Sequence, residues 1–167
     1  MKVAQLDRWE NTFRLYFNSA DRDSGTQQRP QFQIPYPSGQ GKTLTKWCRG
    51  ILRTIYFADK DNNTPMYFLH WSVPMPNQFF SGNPNPNVLG TFSNKNYLNG
   101  PETAGGVGAI FRAVGTVQEA GQTCANPFSQ LVEFEVFQAD GTAVDPEGDW
   151  NWSIDVELRP YKTVPPT

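Results

Sequence analysis

Trp152-Ser153-Ile154-Asp155-Val156-Glu157-Leu158-Arg159 alternates apolar and polar residues without a break. Successive side chains on a strand point to opposite faces, so Trp152, Ile154, Val156 and Leu158 share one face and Ser153, Asp155, Glu157 and Arg159 the other. That pattern predicts an antiparallel sheet with one face buried and one face wet. Working outward, residues 130–137 repeat it, with Val132, Phe134 and Val136 set against Glu133 and Glu135. Asp140-Gly141 follows them and is the strongest short hairpin signal in the chain.

The theme continues toward the N-terminus. Phe13, Leu15 and Phe17 alternate in residues 12–17, and Phe32, Ile34 and Tyr36 in residues 31–36. Residues 51–57 form an apolar, β-branched and aromatic run that ends in the turn residues 59–63. Residues 66–73 are apolar on both faces, which fits a strand buried on both sides or covered by a partner. Residues 88–92 are a short strand, and residues 107–117 hold Ala109, Ala113 and Gly115, small enough for close packing. With the final strand this makes about eight strands separated by turn signals. The reading is an all-β chain, a single antiparallel β-sandwich that is jelly-roll-like. One segment dissents. Leu44, Trp47, Cys48, Ile51, Leu52 and Ile55 recur at three- and four-residue spacing, which predicts a short helix over residues 43–50.

The 167 residues suit one domain spanning 1–167, large enough to bury its own core. Cys48 and Cys124 lie far apart in sequence and read as two buried thiols rather than a disulfide framework, with a bridge between them left open. A net charge of −2 sets up no strong field. Charged residues reach only 18%, below the usual level of about 25%, while aromatics reach 14%. Depleted charge and enriched aromatics mark the cores of interfaces, and equally an aromatic β core. The first residues show no apolar stretch or small-residue cleavage site, which predicts synthesis without Sec-type export. No apolar run approaches the ~20 residues of a membrane span. About residues 1–10 and 160–167 fall outside the strand pattern and read either as free tails or as arms that dock on neighbours.

Few residues point to chemistry. Ser38-Gly39-Gln40-Gly41-Lys42-Thr43 resembles a phosphate-cradling loop, but Tyr36 stands where the motif needs its first glycine, and no parallel sheet is implied. Asp59, Asp61 and Asn63 have calcium-loop spacing, with Thr64 and His70 where glycine and glutamate belong, so a capped turn is the better reading. Glu133, Glu135, Asp155 and Glu157 would crowd four carboxylates onto one surface if their strands paired. A glycosidase needs two carboxylates in unlike environments, and a solvated face is the simpler account. His70 is the only histidine and sits in an apolar strand, which fits a core or interface residue rather than a triad or metal ligand. Basic residues are scattered, which gives nucleic-acid binding no support.

Two stretches carry a family resemblance. His70-Trp71-Ser72-Val73-Pro74-Met75-Pro76-Asn77-Gln78-Phe79-Phe80 is similar to the junction of strand, Pro-Asn and aromatic residues in small capsid-associated proteins of eukaryotic double-stranded DNA viruses and their virophage- and polinton-like relatives. Residues 131–141 followed by 148–158 resemble their C-terminal hairpin, which pairs an Asp-Gly turn with an Asp-Trp-Ser-type strand. Together these stretches cover about half the chain. The resemblance implies a virion structural protein without enzymatic activity, catalytic residues, cofactor or metal. One sandwich is too small for a double jelly-roll major capsid protein, which leaves a minor capsid, penton-like or cement protein. Its partners would be other capsid proteins and copies of itself, in the virion. Trp9, Phe79, Phe80, Trp150 and Tyr161, at strand ends or in loops, are then the candidates for contact, and each reads equally as a core residue at a sheet edge. The rival from another class is a carbohydrate-binding β-sandwich, whose exposed Trp or Tyr work with Asn, Asp and Gln. Coplanar aromatics on one exposed face would mark that rival, and aromatics spread over several faces would mark assembly. A small enzyme built on the acidic cluster is a third reading.

Overall fold

Ten strands form among the described residues of the computed structural model, which describes residues 12–35, 47–61, 64–76, 78, 87–93, 109–112 and 122–158. The strands are β1 (Thr12–Asn18), β2 (Ser24–Gly25), β3 (Pro30–Ile34), β4 (Trp47–Phe57), β5 (Met66–Trp71), β6 (Val88–Ser93), β7 (Ala109–Arg112), β8 (Gln122–Ala125), β9 (Gln130–Gln138) and β10 (Asn151–Leu158). One sheet runs β1-β10-β4-β7, with β8 also paired to β4, and the other runs β2-β3-β9-β5-β6. Every pairing is antiparallel. The chain winds so that β1 meets β10 and β3 meets β9, while β10 and β9 also pair with β4 and β5. That order is a jelly roll, with the first strand laid beside the last at one end of a sheet. Each of the eight expected stretches contains a strand, and β2 and β8 are additional.

The core lies between the two sheets. Trp152, Ile154, Val156 and Leu158 of β10 face Val132, Phe134 and Val136 of β9, and all seven are buried. Phe17, Phe32, Phe134 and Trp152 form one aromatic cluster, with Phe17 and Phe134 centroids 4.9 Å apart and Phe134 and Trp152 also 4.9 Å apart. Each such side chain contributes roughly 1.5–3 kcal/mol through its removal from water. Two glycines let the sheets approach. A Cβ at Gly90 of β6 would lie 2.8 Å from Leu52 Cδ2 and 2.9 Å from its Cβ, and one at Gly50 of β4 would lie 3.0 Å from Leu89 Cδ1.

The helix expected over residues 43–50 is not formed where the structure describes it, because Trp47 to Gly50 already belong to β4. The three-residue step from Leu52 to Ile55 has a β explanation. Ser153 pairs with Thr54 and Ile154 with Leu52, so Arg53 is the extra residue of a β-bulge. The bulge reverses the alternation, and Leu52 and Ile55, three apart, point into the same core. Residues 43–46 lie outside the described residues.

The Asp140-Gly141 turn forms, with Gly141 at φ +88° and Thr142 N–H donating to Asp140 Oδ1 at 2.9 Å. Its returning arm is not the final strand. Val144 N–H donates to Val136 O at 2.9 Å and Ala143 bridges Phe137, so the chain retraces β9 briefly before crossing to the other sheet. The pairing of Asp-Gly turn and final strand is corrected accordingly, since β9 and β10 lie in different sheets. In β5 the inward residues Tyr67, Leu69 and Trp71 are buried, whereas outward Met66 is 45% exposed.

Candidate functional site

β10 lies between β1 and β4, so long side chains from both neighbours close over its polar face. Asp155 and Ser153, expected to be wet, are each only 3% exposed. Arg14, directly opposite Asp155 on β1, donates from Nε at 2.8 Å and from Nη2 at 3.1 Å. The bulge turns Arg53 of β4 to the same carboxylate, and its Nε donates at 2.7 Å. Ser153 Oγ and Thr54 Oγ1 share a 2.6 Å hydrogen bond, and Arg49 and Glu157 approach to 3.7 Å. Burial pushes the Asp155 carboxyl up, but the hydrogen bonds and charges of Arg14 and Arg53 outweigh it and hold the group below the ordinary carboxylate range. Asp155 in turn keeps Arg14 more firmly protonated. A carboxylate held between two guanidiniums has its lone pairs occupied and braces three strands rather than transferring protons.

The open part of this outer face carries two tyrosines. Tyr16 of β1 is 77% exposed and Tyr56 of β4 is 37% exposed. Tyr16 sits opposite Ser153, and Asn151 is paired with both Asn18 and Tyr56, which puts all of them on one face. A shallow depression of about 420 Å³ is lined by Thr54, Ile55, Tyr56 and Asn151. A second cleft, of about 410 Å³, lies between β1 and β3, with Phe17, Phe32 and Ile34 as its floor and Tyr16, Asp21, Asp23 and Gln33 on its rim. Among the described residues no strand pairs with the far edge of β1.

The other outer face holds the remaining acidic residues. Arg29 donates to Glu133 Oε1 at 2.6 Å and pairs with Glu135 Oε2 at 3.3 Å, while Gln31 donates to Glu133 Oε2 at 2.7 Å. Burial raises the Glu135 carboxyl, Arg29 pulls it back and Glu133 adds to the rise. Glu133 and Glu135 therefore stand on the opposite side of the sandwich from Asp155 and Glu157. The four-carboxylate surface is not assembled, because β9 and β10 never pair. His70 is 5% exposed, opposite Glu135 in register, and its ring meets Phe137 edge-on at 4.5 Å. Asp59 caps a turn: its carboxylate accepts from Asp61 N–H at 3.0 Å and from the Tyr67 hydroxyl at 2.9 Å. No three His, Cys, Asp or Glu side chains converge among the described residues.

Of the candidate contact residues, Trp150 takes the core alternative. It is fully buried, stacks on Trp152 at 4.0 Å, and its indole N–H donates to Gln27 O at 2.7 Å. The crossing that brings the chain from β9 to β10 carries Trp150 over the end of the core. Trp9, Phe79, Phe80 and Tyr161, like the Ser38 to Thr43 loop, lie outside the described residues. Among the described residues the exposed aromatics are Tyr16 and Tyr56. Tyr16 was readable, since it shares the polar phase of β1 with Thr12 and Arg14. Tyr56 was hidden, since the bulge moves it out of phase with the start of its strand.

No protein-family model matches the chain, and no curated protein matches it. The viral resemblance thus rests on the residues quoted for it. Among the described residues no helix is long and apolar enough to cross a membrane.

Proposed function

We propose that the protein is a non-enzymatic virion structural protein, a minor capsid, penton-like or cement component that works through protein–protein contacts. The observation that carries the reading is the edge of β1. This strand is seven residues long, holds three aromatic residues, is free of proline, and no described strand pairs with its far side. Its one cation, Arg14, is paired with Asp155, which it shares with Arg53. Edge strands without proline, free lysine or a bulge are templates for pairing with another chain. A jelly roll is an architecture used in capsids as well as in lectins, so the fold permits the role without assigning it. The experiment is molar mass by light scattering after size exclusion, over a hundredfold concentration range. The reading expects a discrete closed oligomer that grows with concentration. A monomer throughout that also fails to bind other capsid subunits would remove it.

A carbohydrate-binding role is the second reading, favoured by Tyr16 and Tyr56 on one outer face beside Asn18, Asn151 and Thr54. A glycan panel decides between them. Binding that is lost in Y16A and Y56A, with the melting temperature unchanged, selects the carbohydrate reading.

A further inference from the structure

Cys48 and Cys124 are the only cysteines of the chain, and no disulfide joins them in the structure. The register of β4 and β8 sets them directly opposite each other. Directly opposed residues of an antiparallel pair have Cα atoms about 4.5 or 5.5 Å apart, and both values fall inside the roughly 4.4–6.8 Å span of disulfides. Opposed residues also share a face. Here it is the inner one, with Cys48 2% and Cys124 0% exposed and both in the core. Burial drives the Cys124 thiol well above the ordinary range, and the neighbouring Cys48 adds to the rise. β8 is a four-residue segment whose strand pairing among the described residues is with β4 alone. Beyond that pairing it is tied by Ala125 N–H to Pro74 O at 2.8 Å and by Gln78 to Gln122.

We propose that Cys48 and Cys124 close a reversible disulfide that clamps β8 to β4. The oxidant is a small disulfide such as glutathione disulfide. One thiol loses its proton, and its thiolate attacks a glutathione sulfur, forming a mixed disulfide and expelling one glutathione thiolate. The second cysteine, deprotonated in turn, attacks the protein sulfur of that mixed disulfide and expels the second thiolate. The two protons end on two glutathione thiols, the cysteines are oxidised by two electrons and the glutathione disulfide is reduced. Burial sets the rate, because attack requires β8 to lift from β4. A short segment at a sheet edge opens locally at little cost compared with global unfolding. Closure would covalently enclose the chain from β4 through β5, β6 and β7 to β8, which restricts the unfolded ensemble.

The test equilibrates the reduced protein in glutathione buffers of rising oxidised fraction. The thiols are then quenched and alkylated in denaturant and read by mass spectrometry. A parallel sample is refolded from urea in the same buffers, which gives the oxidant access whatever the opening rate of β8. The expected result is joint loss of both alkylatable thiols, no retained glutathione, and a melting temperature raised by about 5 °C or more, all reversed by dithiothreitol. C48S and C124S should show neither the closed form nor the shift. Three results after refolding would overturn the proposal: two free thiols, mixed disulfides only, or a bridged form that melts below the reduced one. Closure during refolding alone, with the native sample unreactive, would overturn its reversibility.

Discussion

Asp155 occupies the phase of β10 that alternation assigns to solvent, yet it is 3% exposed because Arg14 and Arg53 fold over it. Alternation reports the direction of a side chain, not what the adjacent strands place above it. The cost of burying that charge is offset only while both guanidiniums are present. Asp155→Asn keeps the volume, removes the charge and leaves two arginines facing each other. It should lower stability by about 2 kcal/mol in urea denaturation, less than a fully buried pair would lose because both arginines reach water. The pH dependence follows from the lowered folded-state value. A depressed carboxylate stabilises the fold above its unfolded value, near 4, and loses that contribution as pH falls through its folded value. The gap between wild type and Asp155→Asn should therefore hold from pH 7 to about pH 4 and close below it. Trp150 makes the opposite point, as a loop residue that proves to be core. Trp150→Ala should cost about 3–5 kcal/mol in the same assay. An interface residue would instead lose association with its stability intact.

At the scale of the element, β4 shows why a sound period count gave a wrong structure. Leu52 and Ile55 both face the core because Arg53 is inserted between them and bulges out. Deleting Arg53 would leave Leu52 inward, Thr54 outward and Ile55 inward, a regular alternation. The deletion variant should fold, with a loss of about 2 kcal/mol from the Asp155 pairing. Deleting Arg49 should abolish folding, since a one-residue slip moves every side chain to the other face. Circular dichroism with urea titration separates the two outcomes. Packing between elements yields another expectation. A methyl at Gly90 meets Leu52 at its Cβ, which a rotamer change cannot move. Gly90→Ala should cost about 2 kcal/mol and lower the melting temperature by roughly 4–8 °C. These elements mark what was legible. Strands, faces and the Asp140-Gly141 turn follow from local alternation and turn chemistry. The bulge, the Asp155 cluster and the opposed cysteines depend on which strand lies beside which, and no local pattern carries that. The candidate site was less legible still: Tyr16 could be read from its phase, Tyr56 could not, and for Trp150 the sequence left contact and core equally open.

For the whole molecule, the strand order determines which surfaces remain available. The jelly roll places Glu133 and Glu135 on one outer face and Asp155 and Glu157 on the other, and each is paired with an arginine. Among the described residues, the surfaces open to a partner include the outer face bearing Tyr16 and Tyr56 and the far side of β1. The assembly reading makes that edge the contact. Tyr16→Lys puts a free charge there at a position already 77% exposed. It should weaken association at least tenfold with little change in stability, as lysine does on protected natural edges. The most direct measurement is hydrogen exchange at the amides of β1, compared between dilute and concentrated protein. The account predicts that amides facing away from β10 exchange quickly when dilute and become protected as the protein associates. Equal exchange at both concentrations, with the association itself intact, would contradict it.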